Sequence, residues 1–157
     1  MKNIQKYKKE IFNLLEKISS NQKDKFFKVA QEFYKTYKKN GMIYIFGTGH
    51  SHMLAEEGHF RAGGFAPICP ILNSSLMLHE DTTFSSVLER TEGVATNLIK
   101  KYNIESKDIL VIFTNSGVNQ APLEASYIAK KLKCKTVGVS SESYSKIAKK
   151  SKYKKRL

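Results

Sequence analysis

The spacing of apolar side chains changes character near residue 41. Before it, Ile4, Tyr7, Ile11, Leu14, Leu15 and Ile18 recur every three or four residues among lysines and glutamates, which predicts an amphipathic helix. Ser19, Ser20 and Asn21 break the pattern. Phe26, Phe27, Ala30, Phe33, Tyr34 and Tyr37 then predict a second helix, closed by Asn40 and Gly41 in a left-handed cap. Two such helices cannot cover both apolar faces alone, so they must pack on the following domain or on a second subunit.

Beyond residue 41 short apolar runs alternate with longer helical patterns. Residues 42–46 form a run that enters a glycine turn, as a buried parallel strand does. A helix is predicted from about Ser51 to Ala62, closed by Gly63 and Gly64. Residues 67–72 are a second candidate strand, whose Pro67 and Pro70 suit an edge position or an interrupted strand. A long helix follows from about Thr83 to Tyr102, with Val87, Leu88, Val94, Ala95, Leu98 and Ile99 on its inner side. Residues 108–113 are the clearest strand, residues 121–132 a helix and residues 136–140 a fourth strand. The alternation predicts an α/β fold: a three-layer α/β/α sandwich on a mostly parallel, flavodoxin-like sheet, preceded by two helices. The whole chain, 1–157, reads as one domain, with a helical pair over 1–40 and an α/β core over 41–157. In such sheets ligands bind at the carboxyl ends of the strands, near a topological switch point.

Composition narrows the class of protein. Apolar residues make up 41% and aromatic residues 11% of the chain, values of a folded protein. Cys69 and Cys134 are far apart and form no metal or disulfide framework, and no cofactor is implied. The N-terminus lacks an apolar leader and no run approaches transmembrane length, so a soluble cytoplasmic protein without a membrane partner is expected. The net charge of +13 comes almost wholly from lysine, with Arg61, Arg90 and Arg156 the only arginines. Readers of nucleic acid lean on arginine too, so this excess, densest from Lys146 to Arg156, fits a solvated surface rather than specific nucleic-acid binding.

Candidate chemistry concentrates in two loops. Gly47, Thr48, Gly49, His50 and Ser51 join the first strand to a helix, where glycines admit close approach and a helix start offers N–H groups. His52 stands where a dinucleotide fingerprint needs its third glycine, so that reading fails. Thr114, Asn115, Ser116, Gly117, Val118 and Asn119 form a second polar turn between strand and helix. Asn115 and Ser116 supply donors, Gly117 permits an unusual dihedral, and Asn119 can cap the helix. Two such loops from neighbouring strands could converge on one phosphate. His50, His52, Glu56 and His59 also invite a metal reading, but alternate positions on a turn diverge and no metal site is expected.

These loops resemble those of the SIS (sugar isomerase) family. Its glycine loop is matched by Gly47, Gly49 and Ser51, and its second loop by Thr114, Ser116 and Gly117, with Asn119 where a threonine is usual. The run from Gly47 to Glu57, the segment Phe60 to Gly64, and Leu76 to Glu80 are similar to a bacterial subgroup of SIS-domain phosphosugar-binding proteins. The resemblance implies a five-stranded parallel sheet, a phosphorylated sugar as ligand and a homo-oligomer. It also implies that this chain, ending at Leu157, is truncated before a last strand. The function it implies is phosphosugar binding with aldose–ketose isomerase activity. An amino-sugar-phosphate etherase or lyase, or a non-catalytic sensor, stays open.

Moving a proton next to a carbonyl needs a base near the phosphate loops. Resembling isomerases place a catalytic glutamate after the second strand, which makes Glu80, beside His79, the first candidate. Glu56 or Glu57, one to two turns past Ser51, is the second, with Glu57 also able to pair with Arg61. His50 and His52 flank Ser51 and could neutralise a phosphate or relay a proton.

Overall fold

The computed structural model describes residues 1–147; most of the basic stretch between Lys146 and Arg156 lies outside the described residues. The chain forms two compact units, Met1–Lys35 and Thr36–Leu157.

The first unit holds α1 (Lys2–Asn21) and most of α2 (Lys23–Lys38). No residue of α1 is buried, and Ile4, Tyr7, Leu14, Leu15, Phe26 and Phe27 are exposed. The Ser–Ser–Asn break shrinks to the single residue Gln22: Ser19 and Ser20 are helical, their hydroxyls donating to the Glu16 carbonyl at 2.9 and 2.8 Å. α2 stops short of Asn40, which adopts the left-handed conformation (φ 52°) expected at that cap.

The second unit is built on a four-stranded parallel sheet of order β2–β1–β3–β4: β1 (Ile43–Gly47), β2 (Ile68–Pro70), β3 (Ile109–Phe113) and β4 (Lys135–Val139). The resemblance implied a fifth strand, but the described residues supply four. β2 is short and sits at the edge, as its prolines require. The central strands are buried on both faces, which is why they read as unbroken apolar runs rather than alternating ones.

Alternation still divides their side chains between two layers. Tyr44, Phe46, Leu110 and Ile112 form the main core with Ala95, Leu98 and Ile99 of α5 (Val94–Ile99) and Ala121, Ala125 and Ala129 of α6 (Gln120–Lys131). On the opposite face, Ile45 and Ile68 lie against Gly58 of α3 (His52–Gly58). Asp108 joins the starts of β1 and β3: its carboxylate, only 3% exposed, accepts the N–H of Met42 at 2.8 Å and of Glu105 at 2.7 Å. Burial, and secondarily this carboxylate, push the Tyr44 phenol up to about 12.

Two helices differ from the sequence reading. The first, expected to run to Ala62, ends at Gly58, and a left-handed Phe60 (φ 39°) turns the chain toward β2. The single long helix over 83–102 is two short ones, α4 (Thr82–Leu88) and α5. Gly93 divides them at φ 86°, a conformation that a helix interior excludes and that glycine adopts readily. The buried carboxylate of Glu124 fixes the break by accepting the Gly93 N–H at 2.7 Å, and it also receives Gln120 Nε2 at 2.8 Å. Val87, expected on the inner side, is exposed as a result, whereas Ala95, Leu98 and Ile99 are buried as expected.

Candidate functional site

The sheet order makes the site. The chain leaves β1 toward β2 on one side and returns to β3 on the other, so β1 and β3 flank the switch point where ligands bind in open parallel sheets. They are in register to their last residues, with Gly47 opposite Phe113. The loops that follow them therefore leave the sheet side by side.

A cleft of about 550 Å³ opens between these loops. The first loop contributes Thr48, Gly49, His50 and Ser51, and the second Thr114, Asn115, Ser116, Val118 and Asn119. A third wall comes from α4 and its end: Thr82, Ser85, Ser86, Glu89 and Arg90. Leu78 and Tyr144, the latter on α7 (Glu142–Ile147), complete it. Gly47 and Gly117 do not line the cleft; both are buried and set the path of the loops.

The local geometry follows from elementary hydrogen bonding. After β1, residues 49–51 make one 3₁₀ turn before α3 begins. This turn folds so tightly over β1 that a Cβ on Gly47 would lie 2.4 Å from the Ser51 carbonyl oxygen. In the second loop, Ser116 Oγ accepts the Val118 N–H, and Thr114 Oγ1 accepts the Gly117 N–H, each at 3.3 Å. A hydroxyl that accepts from the backbone keeps its own hydrogen to donate elsewhere. Gly117 takes the unusual dihedral foreseen for it (φ 67°). Asn119 occupies the N-cap position of α6, but its side chain makes no capping bond. The residue lines the cleft instead.

The remaining wall carries the charges. Thr48 Oγ1 donates to Glu89 Oε2 at 2.9 Å, and Arg90 Nη1 lies 2.9 Å from Glu89 Oε1. Thr48 thus spends its hydrogen on a carboxylate. Arg90 is half-exposed and also reaches Ser86 Oγ at 2.6 Å. The main chain of Glu89 is held too, since its carbonyl accepts the Ala121 N–H at 2.9 Å.

The expected catalytic residues Glu57, His79 and Glu80 lie elsewhere. Glu57 is exposed on α3 and paired with Arg61, and Glu80 and His79 are exposed ahead of α4; none of the three lines the cleft. Asp81 rather than Glu80 caps α4, accepting the Phe84 N–H at 2.8 Å. His50 is exposed at the cleft, whereas His52 is fully buried beneath it. The Asn73 N–H donates to His52 Nε2 at 3.2 Å, so the ring's proton sits on Nδ1, which meets Glu56 Oε1 at 2.8 Å. His52 is a bracket between α3 and the segment after β2, which removes it from the phosphate and metal readings.

Sequence reasoning misses Glu89, Arg90, Ser85 and Ser86 because the periodicity over 83–102 reads as one continuous helix. Two signals were present. Gly93 marks a break, and an acid at the C-terminal end of a helix opposes the dipole, so Glu89 is out of place in a helix built only for stability.

Comparison with known proteins agrees with this architecture. A UPF0309 protein of Brucella ovis is 47% identical over 103 residues, and one of Brucella anthropi 45% over 103 residues. Each match covers 66% of this chain and 43% of the relative, so the match spans less than half the relatives' length. Phosphoheptose isomerase GmhA from Neisseria gonorrhoeae superposes with a TM-score of 0.69 at 13% identity, over 96% of this chain and 82% of that one. A phosphoheptose isomerase from Francisella tularensis gives 0.70 at 16%, over 91% and 75%. At those identities the likeness is one of fold. The model of the SIS domain matches residues 6–141, and the chain belongs to the SIS domain family.

Proposed function

We propose that this chain binds a phosphorylated sugar in the cleft between the β1 and β3 loops and acts as an aldose–ketose isomerase. Gly49, His50, Ser51 and the main chain of Thr48, with Asn115, Ser116 and Asn119, hold the phosphate in this reading, while Gly47 and Gly117 set the path of the two loops. The observation that carries it is the pairing of Gly47 with Phe113, which brings Ser51 and Ser116 to one cavity. Three further features support it. Ser116 keeps a hydrogen to donate, the N-terminal end of the twelve-residue α6 meets the cleft, and two solved structures of like fold are titled phosphoheptose isomerases. The lysine excess (net +13) favours the approach of anionic ligands.

The test is thermal stability in the presence of sugar phosphates, their unphosphorylated parents and inorganic phosphate. A ligand that binds only the native state raises the midpoint with concentration. The phosphorylated forms are expected to do so, the parents not, and Ser116→Ala to reduce the effect. Equal stabilisation by unrelated polyanions, unaffected by Ser116→Ala, would sink the reading. We also infer a homo-oligomer, supported by the exposed apolar residues of α1 and the first part of α2. A monomer at micromolar concentration in light scattering would overturn it.

A further inference from the structure

Glu89, rather than any glutamate singled out from the sequence, is the group that we propose transfers the proton in this cleft. The proposal rests on the phosphosugar reading above and adds the acid–base residue to it. Among the described residues that line the cavity, Glu89 is the single carboxylate. Its side chain is 16% exposed, enough to reach a ligand while largely shielded from bulk water. It is held in one orientation at both ends. Thr48 donates to Oε2 at 2.9 Å, Arg90 lies 2.9 Å from Oε1, and the Ala121 N–H fixes the main-chain carbonyl at 2.9 Å. Each ionised oxygen retains a lone pair beyond these contacts, so the carboxylate can still accept a proton.

Two arguments separate this role from a structural tie. The acid stands at the C-terminal end of α4, where the helix dipole disfavours negative charge; placements that oppose stability concentrate at functional sites. The carboxylate also gives the cleft a polarity. Ser51 and Ser116 offer hydroxyl donors to a phosphate, whereas the Glu89 carboxylate, already paired with Arg90, offers none, so in this reading a sugar phosphate lies with its carbon chain toward Glu89.

On an open-chain aldose phosphate the step balances without any co-reactant. Glu89 takes the hydrogen on C2, the C–H electron pair becomes the C1=C2 bond, and the carbonyl pair moves to O1. The hydrogen on O2 passes to O1, O2 becomes the new carbonyl, and Glu89 returns its proton to C1. The product is the ketose phosphate, an isomer.

The experiment uses the full chain in D2O with glucose 6-phosphate, glucosamine 6-phosphate and a heptose 7-phosphate, each first scored for thermal stabilisation. Loss of the C2 proton signal is followed by NMR. Wild type is expected to exchange at least one stabilising sugar phosphate. Glu89→Gln, which keeps an oxygen toward Thr48, is expected to slow exchange by about a hundredfold or more while stabilisation by inorganic phosphate is kept or increased. Thr48→Val leaves the carboxylate but frees its orientation, and is expected to lower kcat more than it changes KM. Glu89→Gln within threefold of wild type overturns the proposal. So does loss of exchange in Glu57→Gln or Glu80→Gln with Glu89→Gln active, or no exchange by wild type of any sugar phosphate that stabilises it. Failure of all sugar phosphates and of inorganic phosphate to stabilise wild type instead removes the phosphate site on which the proposal stands.

Discussion

Gly47→Ala should damage this protein out of proportion to the one methyl group it adds. The new Cβ would meet Ser51 O at 2.4 Å, Ser51 C at 2.6 Å and His52 N at 3.0 Å, all of them main-chain atoms. Restoring the first contact to 3.0 Å means a shift of at least 3.0 − 2.4, about 0.6 Å. That turn cannot swing away freely. Ser51 N–H is bonded to Thr48 O at 3.1 Å, and the His52 ring is held by Asn73 and Glu56. Overpacking of this kind costs about 1–3 kcal/mol, here toward the upper end. The reduced freedom of the unfolded chain offsets ~0.5 kcal/mol of that. A net loss of about 2 kcal/mol corresponds to a Tm lower by about 4–8 °C for a chain of this size. The assay is a thermal melt by circular dichroism, with Gly58→Ala alongside. There the one close approach is to the Ile45 Cδ1 methyl at 2.9 Å, with Ile68 no nearer than 3.5 Å; that methyl can rotate, so a drop under about 2 °C is expected. Equal melting of Gly47→Ala and wild type, or equal damage from both variants, would refute the reasoning.

Other outcomes follow from groups already described. His52→Leu leaves the Asn73 N–H without its acceptor, a loss of about 1–3 kcal/mol, and amide exchange at residues 73–76 should accelerate; unchanged protection there would contradict the bracket. Glu124→Leu removes the acceptor of the Gly93 N–H and of the Thr96 N–H and hydroxyl and should cost about 3 kcal/mol, read as a lower urea midpoint with the slope retained. The Cys134 thiol, pushed up to about 11 by burial first and by the Asp108 carboxylate second, stays protonated in the fold while the unfolded thiol ionises near 9. Its contribution is therefore complete below pH 9 and is lost as pH rises toward 11, a fall of order 2 kcal/mol. Cys134→Ser should flatten that part of the stability–pH curve, and an equally steep curve in the variant would count against it.

The sequence by itself determined the layers and the two loops. The apolar runs at 42–46 and 108–113, short and alternating with helical patterns, read as strands covered on both faces, and polar turns after them lie at their carboxyl ends. Local chemistry also placed Asn40 in a left-handed cap and put the proline-bearing strand at an edge. Tertiary structure decided which polar residues share one cavity. Periodicity could not reveal that Gly93 would be pinned by Glu124, some thirty residues on, splitting one helix into two and bringing Glu89 to Thr48. Nor could it show that His52, one position from Ser51, turns into the core while Ser51 faces the cleft. Spacing along a chain fixes which face of an element a residue occupies. Which faces meet depends on the order of strands in the sheet, and that order, β2–β1–β3–β4, is set by packing between distant segments.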